Sequence, residues 1–239
     1  AKRPVLLLGQ GVIHTQYKKI LDKVINENKF LVVTSLLGIG TYDTSKINHL
    51  GYIGHTGHYA ANEAVYSCDL LLVLGSRLDL RQTGTEVKYF VPKGKIIWID
   101  IDNKEIKNPR INAFISVNSS IDNFLINYKK INNKRYYDNN WKNKIFSLKN
   151  SKKEDEINFD SLYLSPKYIL EQLCKFINTS KKNINIVTGV GNHQQWAARH
   201  LLFKPNKSNL LTSGGHGTMG YDIPTSIGAA MTNPKNIVL

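Results

Sequence analysis

The chain is short of cysteine, of acidic residues and of long apolar runs, and each shortage closes off a class of protein. Only two cysteines occur in 239 residues, Cys68 and Cys174. Both fall inside helix-like patterns without metal-ligand spacing, which excludes a disulfide framework and predicts buried thiols in a reducing, intracellular compartment, cytoplasm or organelle. No segment approaches the roughly twenty apolar residues of a membrane-spanning helix, so no membrane partner is expected. The opening Ala1-Lys2-Arg3-Pro4 runs straight into an apolar stretch that reads as a buried strand, so these residues are not expected to form a signal peptide. Asp and Glu total 18 against 32 Lys and Arg, a formal net charge of +14, and such an excess prompts a search for nucleic-acid binding. The search fails. Lysines over 129–153 are interleaved with asparagines, and neither an aromatic platform nor helix-turn-helix spacing accompanies them. Nucleic acid is therefore not expected as a partner, and the charge is assigned to solvated surface.

What the chain does have is 41% hydrophobic residues, enough for packed cores at a length that suits one large or two ordinary domains. Residues 4–128 alternate apolar strands with helices: strands at 5–8, 30–34, 70–74 and 96–99, helical patterns at 17–26 and 59–67. Buried strands without polar alternation, separated by helices, predict a parallel sheet covered on both faces. The turns that follow the strands then collect at the carboxyl edge, where open α/β folds bind ligands. Gly9-Gln10-Gly11 has two of the three glycines of a dinucleotide fingerprint. Asp100 ends a later strand and is placed to accept from ribose hydroxyls, while Arg77 and Arg81 around Asp79 are placed to reach phosphates. The same three residues would equally serve to tie one loop together.

Residues 129–164 are polar and charge-rich and read as a linker with a short helix around 141–148, whose aromatics either pack on a neighbouring domain or, the simpler reading, sit in a solvated connector. Ser165-Pro166 is a fair helix start, and 168–177 is amphipathic. A second α/β unit follows over 165–239. Its strand at 184–187 breaks at Gly189-Val190-Gly191 and gives way to a helix, an arrangement that points free N–H groups and a positive dipole end at an anion. Further on, Gly214-Gly215-His216-Gly217-Thr218-Met219-Gly220 places four glycines in seven residues, so that a ligand can touch bare backbone. Read singly, the first of these is a plain tight turn or the second a crowded chain crossing as readily as a cofactor site, and Met219 is as readily a core residue.

Two runs, "TGVGNHQQWAARH" and "SGGHGTMGYDIPTSIGAA", resemble the diphosphate-binding domain of thiamine diphosphate enzymes, most nearly acetohydroxyacid synthase (acetolactate synthase). The resemblance implies an α/β fold of two doubly wound parallel-sheet units: a central domain over 1–128 and the amino-terminal half of a coenzyme-binding domain over 165–239. It implies thiamine diphosphate bound by Val190, Gly191, Asn192 and His193 and by Gly217 and Met219. The Gly217 carbonyl would accept from the coenzyme's exocyclic amine, the Met219 N–H would donate to its pyrimidine, and the Met219 side chain would wedge the coenzyme into its bent form. For the central domain it implies FAD, on Gly9, Gly11, Ser35, Leu36, Gly54, Gly57, Gly75, Arg77, Asp79, Arg81, Asp100 and Ile101. This chain departs from the pattern: His55-Thr56 stands where Met-His is usual, Asn118-Ser119 where a Gly-Asp pair is usual, and Asn192, His216 and Asp222 where Gln, Leu and Gly are usual.

The activity so implied is decarboxylation of a 2-oxo acid such as pyruvate and transfer of the remaining unit to a second 2-oxo acid, in branched-chain amino acid biosynthesis, by a homodimer or homotetramer. The missing initiator Met and the stop inside an apolar run at Leu239 read as a piece of a longer chain. By the resemblance, the activating glutamate and the ligands of Mg2+ would lie outside it, with no catalytic or metal-binding residue within and no turnover by this polypeptide alone. Another thiamine diphosphate-dependent 2-oxo acid decarboxylase or lyase, a flavoenzyme resembling pyruvate oxidase and a non-catalytic nucleotide-binding module are the alternatives.

Overall fold

A computed structural model describes residues 1–107, 110–128, 136–151 and 164–239. Two compact units emerge. One comprises residues 1–38 and 47–151, the other residues 39–46 and the described part of 152–239.

The first unit is built on six parallel strands, β1 Pro4–Leu8, β2 Leu31–Thr34, β3 His49–Tyr52, β4 Leu70–Leu74, β5 Lys95–Asp100 and β6 Ile115–Asn118, in the order β3-β2-β1-β4-β5-β6. The sequence leaves β1, β2 and β4 without polar alternation because helices cover both faces of a parallel sheet, and Val5 to Leu8 are accordingly sealed from solvent. Helices α1 Lys18–Glu27, α2 Tyr59–Ser67, the short α3 Leu80–Thr83 and α4 Asn103–Ile106, and α5 Ile121–Ile126 fill the crossovers. Strand order reverses between β1 and β4, so the crevice of a doubly wound sheet opens at their carboxyl ends.

Strands β3 and β6 were not evident from the sequence. β3 carries Gly51 at φ +104, where an added Cβ would lie 2.2 Å from the His58 ring. β6 is a four-residue edge strand whose side chains are largely exposed, so it lacks the apolar run that marks its neighbours.

The linker expected over 129–164 lies outside the described residues at 129–135 and 152–163. Its described middle corrects the simpler reading of a solvated connector. Helix α6, Asn139–Asn150, is capped by the Asp138 carboxylate, which accepts from the Trp141 N–H at 2.9 Å. Trp141, Ile145 and Leu148 recur at helical spacing and pack on the core, with Ile145 fully buried. The Trp141 indole donates to Ser67 Oγ at the end of α2, 2.8 Å away.

In the second unit, β7 Ile184–Thr188 lies between β8 Ser208–Thr212 and β9 Ile237–Val238, all parallel, with α7 Pro166–Thr179, α8 Asn192–His200 and α9 Asp222–Thr232. Residues 39–46, from the connection between β2 and β3, belong here. Thr44 N–H donates to the Phe203 carbonyl at 2.9 Å and Thr44 Oγ1 accepts from the Phe203 N–H at 2.8 Å. Ile39, Tyr42 and Phe203 are buried. Among the described residues no helix is long and apolar enough to cross a membrane. Both cysteines are buried; burial and the Asp69 charge push the Cys68 thiol up to about 12, and burial raises Cys174.

Candidate functional site

Because every strand of the first sheet is parallel, the turns after β1 to β6 share one edge. At the crevice the Gly9 N–H donates to the Leu74 carbonyl at 2.9 Å and the Gly11 N–H to the Gly75 carbonyl at 3.1 Å. A Cβ on Gly9 would sit 2.0 Å from the Gly75 oxygen, and one on Gly75 2.8 Å from the Gly11 Cα. Three of the expected ligand glycines therefore have a sufficient reason in the crossing of two backbones. A single 3₁₀ turn, Gln10–Val12, follows Gly9, while α1 starts only at Lys18. No α-helix N-terminus stands at this turn.

The neighbouring turns are knit in the same way. Ser35 is buried and its Oγ accepts from the Gly38 N–H at 3.0 Å. Gly54 faces Asn62, whose amide exchanges two hydrogen bonds with its backbone, and a Cβ there would lie 2.4 Å from the Arg81 carbonyl; one on Gly57 would lie 2.4 Å from the Tyr52 carbonyl. Asp79 caps α3, its carboxylate accepting from Arg81 N–H, Gln82 N–H and the Gln82 amide at 2.8, 3.2 and 3.2 Å. The loop-tying role thus holds for Asp79. The two arginine side chains stay exposed, and Arg77 pairs with Glu105 at 3.2 Å. Asp100 is buried and accepts from the Asp102 N–H at 3.0 Å. Asn118 bridges the Asp100 and Ile101 carbonyls at 3.2 and 2.8 Å, so the residue that departs from the family pattern locks β6 to β5. Leu36 is half-buried and Ile101 is 74% exposed. Towards solvent this edge presents the exposed Arg77 and Arg81 side chains and the apolar Leu36 and Ile101, a donor set that suits a phosphorylated ligand; its glycines face other backbone.

The second unit's edge is different in kind. Gly191 at φ +153 ends the turn after β7 and caps α8, a nine-residue helix whose Gln194 N–H donates to the Gly191 carbonyl at 3.1 Å and whose start is by geometry rich in N–H groups lacking an intrahelical acceptor. Asn192 and His193 on its first turn are exposed and Val190 is half-buried. The His193 ring lies along Gly191, where an added Cβ would meet it at 3.1 Å. From β8 the chain enters the loop 213–221. The Ser213 carbonyl accepts from the Gly217 N–H at 2.9 Å and Ser213 Oγ from the Thr218 N–H at 3.0 Å, while Gly217 and Gly220 take φ +69 and +72. Met219 is 85% exposed, so core packing within this chain is not its role.

The two turns leave adjacent strands at paired residues. Thr188 faces Thr212 in register, their hydroxyls 2.9 Å apart, and buried Gln194 of α8 donates to Thr212 Oγ1 at 2.6 Å. At its far end the loop returns to the first turn, because the Asp222 carboxylate stands about 3.1 Å from where a Cβ on Gly189 would be. Val190, Gly191, Asn192, His193, Gly217 and Met219 are thereby brought to one edge of one sheet. The Thr188–Thr212–Gln194 network beneath them escaped the sequence reading; its only trace is a Gln at a position of α8 that should face the core.

Comparison with known proteins bears on both edges. Residues 1–126 match the family model "Thiamine pyrophosphate enzyme, central domain", and residues 189–239 match "Thiamine pyrophosphate enzyme, C-terminal TPP binding domain". The chain is 30% identical to the mitochondrial acetolactate synthase catalytic subunit of Saccharomyces cerevisiae, over 100% of this chain and 36% of that protein. It is 35% identical to a probable acetolactate synthase large subunit of Methanocaldococcus jannaschii, over 98% and 40%. The chloroplastic acetolactate synthase 1 of Nicotiana tabacum is 32% identical over 100% and 35%. The chain thus spans about two-fifths of the length of the curated relatives it matches.

Proposed function

The chain belongs to the thiamine pyrophosphate enzymes, and from that premise we propose that it carries the central unit and coenzyme cradle of an acetolactate synthase-type carboligase. The reaction is decarboxylation of pyruvate with transfer of the two-carbon unit to a second 2-oxo acid, serving branched-chain amino acid biosynthesis. The observation that carries this reading is the pairing of two bare glycine turns on adjacent strands, held side by side by Thr188, Thr212 and Gln194.

In this proposal the N–H groups at the start of α8, with Asn192 and His193, hold the diphosphate: helix dipole and unpaired donors both favour an anion there. Thiamine diphosphate, when bound, supplies the carbon nucleophile and electron sink for loss of carbon dioxide from a 2-oxo acid. Gly217 would accept from the coenzyme's amine through its carbonyl. Met219, long and polarizable, is free to lie under the bent coenzyme. Val190, half-buried within the turn, would keep it apolar. Mg2+ would join at the diphosphate. In the first unit, FAD would be held at the β1/β4 crevice, where Arg77 and Arg81 would meet its phosphates and the turns carrying Leu36 and Ile101 would offer apolar contacts. A homodimer or homotetramer is proposed by likeness to the family.

The test is a product assay on the intact protein with thiamine diphosphate, Mg2+ and a panel of 2-oxo acids. Acetolactate from pyruvate is expected. Aldehyde alone would identify a decarboxylase, and substrate-dependent bleaching of a bound flavin an oxidase. No release of carbon dioxide from any 2-oxo acid would overturn the proposal.

A further inference from the structure

Because β7, β8 and β9 are parallel, the turns that enter them share the amino edge of the second sheet, opposite the edge where the glycine turns leave. These turns, residues 180–183, 204–208 and 233–236, carry Lys181, Lys182, Lys204, Lys207 and Lys235 and not one carboxylate. Lys181, Lys182 and Lys235 are exposed and the other two half-buried. Hydrogen bonds hold the turns side by side. The Ile184 N–H donates to the Lys207 carbonyl and the Ile237 N–H to the Asn183 carbonyl, both at 2.9 Å, and Lys207 Nζ donates to the Ser180 carbonyl. Among the described residues no ion pair engages any of these lysines. Asp43, beside the Thr44 that bonds Phe203, turns its carboxylate to the Ser45 N–H at 2.9 Å and hydroxyl at 2.6 Å. The amino edge of the first sheet differs, since Asp69 stands there and accepts from the Lys2 and Arg3 N–H groups at 2.6 and 2.9 Å.

Like charges gathered on one edge repel, and an anionic partner relieves that repulsion. Which anion fits follows from what the turns lack. They hold no arginine to grip phosphate bidentately, no aromatic ring for a base to stack on and no large apolar side chain to enter a bilayer. Neighbouring strand ends stand about 4.8 Å apart, so the row spans roughly 10 Å, while an extended peptide repeats its side chains on one face every ~6.6 Å. Compact ammonium groups on flexible stems at that scale suit carboxylates met one at a time. We propose that the amino edge of the second sheet is a docking surface for an acidic, Asp- and Glu-rich segment of a partner protein.

The experiment titrates the intact protein into a labelled oligoglutamate peptide and follows fluorescence anisotropy at about 50 mM salt. Two variants lose the same net charge. One combines Lys181→Gln, Lys182→Gln, Lys204→Gln and Lys235→Gln on the edge; the other combines Lys19→Gln, Lys23→Gln, Lys93→Gln and Lys107→Gln at exposed positions of the first unit. Lys207 stays, because its ammonium fastens two turns, and matching melting curves establish that both variants are folded. The edge variant should bind the peptide about tenfold more weakly, and the other should stay within about twofold of the wild type. Equal weakening would make net charge the whole attraction and overturn the inference. So would a wild type that binds oligoglutamate no better than oligoglutamine, or an edge variant whose larger loss is for duplex DNA or phosphatidylserine vesicles. Each of these results spares the proposed function, whose coenzyme cradle lies on the other edge.

Discussion

His49, at the start of β3, keeps its imidazole 5% exposed, and burial, helped by the fields of His58 and Lys149, lowers its pKa from 6.5 to about 3. The folded protein holds it neutral where the unfolded chain takes up a proton. Above pH 6.5 both states are neutral and nothing is lost. As pH falls from 6.5 toward 3 the unfolded state binds more protons, so stability drops by about 1.4 kcal/mol per pH unit from this group. Denaturant melts of the wild type and His49→Gln between pH 7 and 4.5 should converge as the medium becomes acid, and parallel curves would show that the imidazole is not the cause. Single residues also mark where reading the sequence stopped short. Gly9, Gly11 and Gly75 announce that a Cβ is unwelcome, and the structure shows the obstacle to be neighbouring backbone. A glycine's reason lies in what approaches it, and a residue more than sixty positions away leaves no local signature.

Helix α6 shows the same division at the scale of an element. Its existence was legible, since Trp141, Ile145 and Leu148 repeat at helical spacing. Its burial was not, because lysines and asparagines dominate its composition and only one face reaches the core. Ile145 is fully buried against the first unit, so Ile145→Ala should cost roughly 2 to 5 kcal/mol in chemical denaturation, through lost transfer energy and the cavity left behind. Asn140→Ala on the exposed face should change stability by no more than about 0.5 kcal/mol. Equal effects would mean that the helix is a solvated connector after all. Strands β7 and β8 illustrate the converse. The apolar 184–187 run was plain, whereas Ser208–Thr212 hides its pairing in polar residues that are satisfied once buried, Thr212 by Thr188 and Gln194 and Ser208 by the Lys204 N–H.

For the molecule as a whole, the formal charge of +14 predicts weak, sequence-independent attraction to polyanions that counterion release makes steeply salt-dependent. Electrophoretic shift with random duplex DNA should appear near 20 mM salt and vanish by about 150 mM; retention of one defined sequence at the higher salt would reinstate nucleic acid as a partner. The α/β class, the run of strand, turn and helix, and the two glycine turns near residues 190 and 217 were determined by the sequence alone, because hydrophobic periodicity and φ > 0 are properties of a few consecutive residues. The strand order, the allocation of 39–46 to the second unit and the approach of Asp222 to Gly189 were decided only by tertiary structure. Each depends on which distant backbones come within hydrogen-bonding or van der Waals reach, and that is settled when the sheets are covered and their cores close.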